Sequence, residues 1–363
     1  MPTLLITSMG GAGSNNMVET IRSFDTSGEY RIVGTHFDPY ELMKSDLEEL
    51  FIVPKAADAE AYFEAHDKLI RELGVDVLIA NSDKEVAAFS DSEKEIPCKH
   101  LLPDHRLVEP VQDKYGLYQI LEKQGCPVVP NIPVTSLEAL PDAVSRLPEC
   151  DTFWIRLRNG SGSLGAAWMH TADQARRWVE LWSELRGFKP EAFVVAPFLP
   201  GRDFCVALLF QNGEFAVGKA YERLRYLTGG ISISNMGSTP SASVTVEETL
   251  PIETSIQAVE AVYREHGRRP HGYFQLDLKC SAEGTPYVTE INIGRFPMTS
   301  PQFDRVGRYC LLELYLQMIL EPDRKLPRGV FDLEPGVVML RSVDYPVKFV
   351  RQKDMDNMMN KQL

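Results

Sequence analysis

Asp277 and Glu290 stand thirteen positions apart, and the amide of Asn292 lies two beyond the second acid. Both acids sit in alternating apolar and polar runs, Phe274–Lys279 and Tyr287–Asn292, separated by Gly284 and Pro286. That pattern predicts a β-hairpin. Residues i and i+2 of a strand face one side, so Glu290 and Asn292 project together and Asp277 joins them from the partner strand. Two carboxylates and an amide oxygen form a hard oxygen cluster, suited to Mg²⁺ shared with phosphate oxygens. A solvated hairpin face with incidental charges accounts for the same residues.

Other segments offer chemistry that would complement such a cluster. Gly160-Ser161-Gly162-Ser163-Leu164-Gly165 follows the strand Phe153–Leu157, and Ala166–Met169 resumes a strand. A glycine-rich hairpin loop can fold over phosphates with its backbone N–H groups. It lacks the GK[ST] ending of a P-loop, and a flexible hairpin tip is the alternative. Arg156 sits mid-strand among apolar neighbours, where a cation needs a partner. That partner is a phosphate or a structural carboxylate. Lys114, near the start of a helix, either reaches a phosphate or faces solvent. Asp203, after Pro200-Gly201-Arg202, accepts from a ribose hydroxyl or caps a turn. Gly10-Gly11-Ala12-Gly13-Ser14-Asn15-Asn16 follows a strand and opens a helix, a context that favours an anion. It half matches the dinucleotide fingerprint, with Asn16 in place of the third glycine and Asp38 ending the second strand. Tight-turn geometry alone also explains such glycines. The seven histidines show no metal-ligand spacing, and no serine or cysteine sits in a nucleophile elbow.

These residues need a scaffold, and the chain is long enough to supply one. Its 363 residues, 44% hydrophobic and 25% charged, suit a soluble protein of two or three domains. A net charge of −13 argues against nucleic acid, though a local basic cleft can still hold a nucleotide. Six widely spaced cysteines without a CxxC pair read as reduced thiols. No apolar run approaches about 18 residues, so no membrane span is expected. The N-terminus starts like a strand, and the cytoplasm is the expected location. Up to residue 111, strands at Leu4–Thr7, Arg31–Thr35, Phe51–Val53 and Val75–Ala80 alternate with helices, as in a small doubly wound sheet. An amphipathic helix is expected over Val111–Gly125. Strands follow at Phe153–Leu157 and Phe193–Phe198, with a helix over Thr171–Arg186 between them. Phe204–Phe210 and Glu214–Ala220 form a hairpin around Asn212-Gly213. Helices cover Ile252–His266 and Cys310–Leu320. Val337–Val343 is a strand, and the polar end, Gln352–Leu363, is expected to fray.

In this order the pieces resemble the ATP-grasp superfamily, most closely the synthetase repeats of the carbamoyl-phosphate synthase large subunit and related stand-alone carboxylate–amine ligases. The resemblance spans roughly residues 3 to 320. Asp113-Lys114-Tyr115 through Leu121, and Gly125-Cys126-Pro127-Val128-Val129-Pro130, resemble the family's "DK…L…GIPxP" pattern. Ile155-Arg156-Leu157 and the glycine loop resemble the lid. Val195–Asp203 resembles the hinge that reads adenine by backbone contacts, with Pro197 replacing the usual acid. Asn235-Met236-Gly237-Ser238 resembles a loop beside the nucleotide. Glu290-Ile291-Asn292-Ile293-Gly294-Arg295-Phe296 departs from "EINPRF" by one inserted residue and a lost proline.

The resemblance implies an ATP-grasp fold at 112–325, with its lid at about 127–192. A small Rossmann-like α/β domain at 1–111 precedes it, and a C-terminal extension covers 326–363. It implies a ligase that phosphorylates a carboxylate with ATP, passes the acyl phosphate to an amine, and releases ADP and phosphate. Asp277, Glu290 and Asn292 would hold Mg²⁺ or Mn²⁺. Lys114, Arg156, Gly160, Ser161, Gly162, Ser163, Gly165, Ala196, Phe198, Leu199, Asp203, Met236 and Gly237 would bind the nucleotide, and Arg295 and Arg156 would act on the transferring group. The N-terminal glycine turn would then help bind the carboxylate. The partners are small-molecule carboxylates and amines, and the family suggests a homodimer. Three other readings stay open. One is a carboxylate or carbamate kinase using ammonia. Another is a non-catalytic nucleotide-binding regulator. The last is an NAD-linked oxidoreductase built on the Gly10–Asn16 turn.

Overall fold

The computed structural model describes residues 1–363 apart from 92–93, 161, 234–235, 238, 297–298, 344–347 and 360–363. Three sheets organise it. The first is parallel, in the order Glu49–Ile52, Arg31–His36, Thr3–Ile6, Val77–Ile79. Thr3–Ile6 is buried throughout, as a central parallel strand covered on both faces must be. Its side chains alternate between two cores. Leu4 and Ile6 meet Met17 and Ile21 of the helix Ala12–Phe24, while Leu5 packs with Phe63 and Ile70 of the helix Ala59–Leu73. Gly10 has φ +90°, and a Cβ there would come 1.7 Å from the Glu41 carbonyl oxygen. Only glycine fits that turn.

The second sheet is antiparallel, in the order Ile132–Pro133, Phe193–Pro197, Phe153–Leu157, Ala167–Met169. The helix Ala172–Arg186 covers it and opens on a capping box between Thr171 and Gln174. The third sheet is the largest. It runs Pro286–Ile293, Gly272–Cys280, Asp203–Gln211, Glu214–Tyr226, Pro240–Thr245, Val337–Leu340, Lys348–Arg351. Asn212 (φ +54°) and Gly213 (φ +92°) both take left-handed backbone at its first hairpin, as a two-residue primed turn requires. The helix Leu250–Glu265 packs on one face of this sheet. The helix Leu311–Leu320 packs on the other and shares a core with the first sheet, so Leu209 and Tyr273 belong with Leu4 and Ile6. No described helix is long and apolar enough to cross a membrane.

Two expected elements differ. The helix expected over Val111–Gly125 is two helices, His105–Gln112 and Lys114–Lys123. Asp113 ends one and caps the next, accepting from the Tyr115 N–H at 3.1 Å. Arg158 pins the same carboxylate, donating through Nε at 3.1 Å and Nη2 at 2.5 Å. An acid anchored from outside and bonded to nearby backbone breaks a helix that apolar spacing alone would continue. Part of the polar C-terminal segment is ordered as a helix. Gln352–Met359 is helical, following the edge strand Lys348–Arg351.

Candidate active site

The hairpin sets the acids. Asp277 pairs directly with Glu290, and Gln275 with Asn292. One step further the register jumps, so that Leu278 pairs with Val288 and Thr289 is the extra residue of a bulge. Thr289 Oγ1 donates to the Asp277 carbonyl at 3.0 Å and fixes that irregularity. Thr289, Glu290 and Asn292 all line one cavity of about 600 Å³, as does Asp277. The second and third sheets contribute to its walls, and so do segments that follow strands of the first, at Ser8, Phe37 and Asn81–Lys84. Among the described residues, six cationic and four acidic side chains line it, in a chain whose net charge is −13. The cavity is thus a positive pocket on an acidic protein, the sign expected for a phosphorylated ligand.

Each cation has a distinct environment. Lys114, first residue of its helix because of the break at Asp113, is buried. Its Nζ donates to the Gly160 carbonyl at 3.1 Å and lies 3.7 Å from Glu290 Oε2. Arg156 Nη2 donates to Asn131 Oδ1 at 2.9 Å, while its Nε is buried without a hydrogen-bond partner. Burial pulls the Arg156 pKa below the ordinary arginine value, and Glu290 acts the other way. The guanidinium nevertheless stays charged. Arg295 is clamped by Asp83 at the start of the helix Asp83–Ser90, through Nε at 2.5 Å and Nη2 at 2.9 Å, and it also donates to Asn292 Oδ1. Gly294 immediately precedes Arg295. It has φ +73°, and a Cβ there would lie 2.5 Å from Pro103 Cδ.

Asp203 opens the strand Asp203–Gln211, and its carboxylate is engaged on both oxygens. Arg223 donates to Oδ1 through Nε at 2.8 Å and Nη2 at 2.5 Å, and the Tyr226 hydroxyl donates to Oδ2 at 2.5 Å. Burial raises the Tyr226 pKa, so the hydroxyl serves as a donor. Arg223 Nη1 also approaches Asp277 Oδ1 at 3.1 Å. That oxygen is buried and makes no hydrogen bond of acceptable geometry. Burial raises the Asp277 pKa, Arg223 opposes the shift, and Glu290 and Asp203 add to it.

The remaining expected residues divide. Gly160, Gly162 and Ser163 line the cavity, as do Ala196, Leu199, Met236 and Gly237. Two expected residues stand outside the lining. Gly165 faces Leu157 and Phe193, and its carbonyl accepts from Trp178 Nε1 at 3.0 Å. The Phe198 N–H donates to the Thr152 carbonyl at 3.4 Å, and its ring packs on Trp154. These contacts tie both residues into the second sheet and away from the cavity. Ser161, Asn235 and Ser238 lie outside the described residues. Beside the first sheet, Ser8 reaches the cavity, whereas the glycines of the Gly10–Asn16 turn do not. Asp38 caps the short helix Pro39–Leu42, accepting from the Tyr40 N–H at 2.8 Å.

Several lining residues went unread: Arg223, Tyr226, Lys279, Trp154 and the Ser82–Lys84 stretch. Arg223 had a signal. Lys219, Tyr221 and Arg223 recur at period two along Glu214–Tyr226, a strand that runs past the apolar segment ending at Ala220. Among the described residues no three histidine, cysteine or acidic side chains cluster for a metal. Any ion here would rest on Asp277, Glu290, Asn292 and a ligand's own oxygens. Two carboxylates and an amide oxygen are a hard donor set, which fits Mg²⁺ or Mn²⁺.

No protein-family profile and no curated protein matches the sequence. Solved structures do match the fold. An L-amino acid ligase from Bacillus licheniformis superposes with TM-score 0.66 at 14% identity, over 93% of this chain and 79% of that one. The biotin carboxylase domain of the Hydrogenobacter thermophilus 2-oxoglutarate carboxylase, complexed with MgADP, ADP and bicarbonate, matches with TM-score 0.70 at 10% identity. It covers 93% of this chain and 74% of its own. N5-carboxyaminoimidazole synthetase from Staphylococcus aureus, complexed with ADP, matches with TM-score 0.66 at 15% identity, over 99% and 85%. The likeness establishes an α/β architecture, an ATP-grasp fold preceded by a small Rossmann-like parallel domain.

Proposed function

We propose that this chain is an ATP-dependent carboxylate–amine ligase that works through an acyl phosphate and releases ADP and phosphate. The observation that carries the reading is the cavity's charge arrangement. Lys114 is buried and Arg156 is half-buried with an unused, buried Nε–H, and both are set beside the facing carboxylates. A buried guanidinium N–H without a partner is costly, and a polyphosphate oxygen supplies one while adding charge beside Lys114. The fold neighbours support the same class, since their names describe ligase, carboxylase and synthetase chemistry, two of them with bound ADP. The special closeness to carbamoyl-phosphate synthase rests on the sequence motifs alone.

In this reading the apolar wall of Val129, Trp154, Ala196, Pro197 and Leu199 receives the base. Lys114 and Arg156 hold the phosphates by charge-assisted hydrogen bonds. A divalent ion on Asp277, Glu290 and Asn292 would neutralise phosphate charge during transfer. Arg295 stabilises the transferring group, and Asp83 and Asn292 keep its guanidinium in one orientation. Gly160–Gly165 covers the phosphates and excludes water from the acyl phosphate. No side-chain nucleophile is needed, because the substrate carboxylate is the acceptor. The first-sheet end of the cavity, with Ser8, Ser82 and Lys84, faces that acceptor.

A screen of carboxylates with Mg²⁺–ATP and hydroxylamine tests this. The expected result is ADP release that requires a carboxylate and yields a hydroxamate. Nucleotide binding without turnover over a broad panel would favour the regulatory reading, which the proline at position 197 motivates.

A further inference from the structure

Each side chain placed for a divalent ion already faces a protein cation. Asp277 Oδ1 lies 3.1 Å from Arg223 Nη1, Glu290 Oε2 lies 3.7 Å from Lys114 Nζ, and Asn292 Oδ1 accepts from Arg295 Nη2. Of these cations, Arg223 is the most firmly fixed beside a carboxylate of the pair. Nε and Nη2 both bond Asp203 Oδ1, and the Tyr226 hydroxyl anchors the other oxygen of that acid. Lys279 Nζ adds charge 3.9 Å from Asp203 Oδ2. The Arg223 side chain is 13% exposed and that of Asp203 only 6%, so the pair has little room to swing apart.

We infer that Arg223 stands in for one of the two divalent ions a facing acid pair can share, so that the cavity takes one divalent cation per nucleotide. The inference rests on the nucleotide reading above. Two ions clamping a polyphosphate would both draw on the paired carboxylates. Here the outer face of Asp277 is turned to a guanidinium, which no ambient pH discharges. A second ion bound to that oxygen would sit at about 2.0–2.6 Å from it, within contact range of Arg223. Like charges at that separation repel strongly in a site screened from water. The oxygens that face neither Arg223 nor Lys114, Asp277 Oδ2 and Glu290 Oε1, serve one ion.

The test counts bound metal instead of turnover. The full chain is equilibrium-dialysed against β,γ-methylene-ATP and Mn²⁺, and the protein-bound ratio of manganese to nucleotide is measured. The expected ratio is one for the wild type and for Arg223→Lys, and two for Arg223→Met. Circular dichroism checks that each variant is folded. A wild-type ratio of two would overturn the inference while leaving the nucleotide reading intact. A folded Arg223→Met that stays at one would overturn the assignment to Arg223. If that variant fails to fold, the wild-type and Arg223→Lys ratios still decide. Absence of bound nucleotide would overturn the parent reading and this one with it.

Discussion

The floor and the lid of the cavity solve the problem of buried charge in opposite ways. On the floor, built by the large sheet, charges come in fixed sets: Asp203 with Arg223 and Tyr226, Asp277 with Arg223, and Arg295 with Asp83 and Asn292. In the wall built by the second sheet, proposed above to act as a lid, Arg156 has an amide partner and a buried Nε with none, and the adjoining loop places Gly160, Gly162, Ser163 and Gly165 at positive φ. The floor is organised before a ligand arrives. The lid leaves a hydrogen-bond donor that a ligand can complete. Preorganisation on one side and unfinished pairing on the other is what a closing site needs.

The sharpest way to break the contrast is on the floor. Glu290→Ala should lower turnover by about 10³-fold, the scale for losing a principal electrostatic contact. The protein should stay folded, since Glu290 is not part of a core cluster. Phosphate release measured beside thermal melting tests both. Near-wild-type release would end the floor's assigned role.

A second test reaches the floor's support. Lys219, buried beneath it, contacts Asp332 at 3.2 Å and Asp304 at 4.0 Å. Burial pushes the Asp304 carboxyl from its ordinary 3.8 up to about 6, against the pull of Lys219. Between those values the folded chain keeps a proton that the unfolded chain has lost. Stability should therefore fall as pH rises from about 4 to about 6, by up to about 3 kcal/mol, and level off above. Asp304→Asn should flatten that part of a melting-temperature profile. An unchanged slope would mean that Asp304 titrates normally.

In the lid, Arg156→Met should weaken nucleotide binding by about tenfold, the loss of one charge-assisted contact. The same change should leave the stability of the ligand-free protein within about 1 kcal/mol, because it removes an unsatisfied buried donor but also the donor to Asn131 Oδ1. Calorimetric binding and melting check the two effects. A much larger loss of ligand-free stability would show that Arg156 serves the fold and not a ligand. The smallest effect is dynamic. Amide exchange in Gly160–Gly165 should slow on saturation with Mg²⁺–ATP, while exchange in Gly272–Cys280 should hardly change. Equal protection changes in both would erase the distinction between lid and floor.

How far these regions were readable depended on where their partners lie in the chain. Asp277, Glu290 and Asn292 announce themselves because strand alternation and one short turn bring them together. Arg223 is harder, since its segment reads Tyr-Glu-Arg-Leu-Arg-Tyr and looks solvated. Only the sheet register places it against Asp203 and Asp277, and register is not local information. The helix break at Asp113 was hidden for a related reason. Apolar spacing continues through it, and Arg158, which holds Asp113, is on another element. Ser82–Lys84 entered the site only through packing of the first sheet against the third. The glycine at 294 was legible, but the left-handed backbone it takes against Pro103 was not.

The central claim is that a carboxylate takes the γ-phosphoryl group in this cavity. Isotope transfer tests it most directly. With an ¹⁸O-labelled carboxylate from the substrate screen, Mg²⁺–ATP and the amine, ³¹P spectra of the products should show one ¹⁸O in the released phosphate and ADP as the nucleotide. Label in AMP, or turnover with none in phosphate, would contradict an acyl-phosphate mechanism.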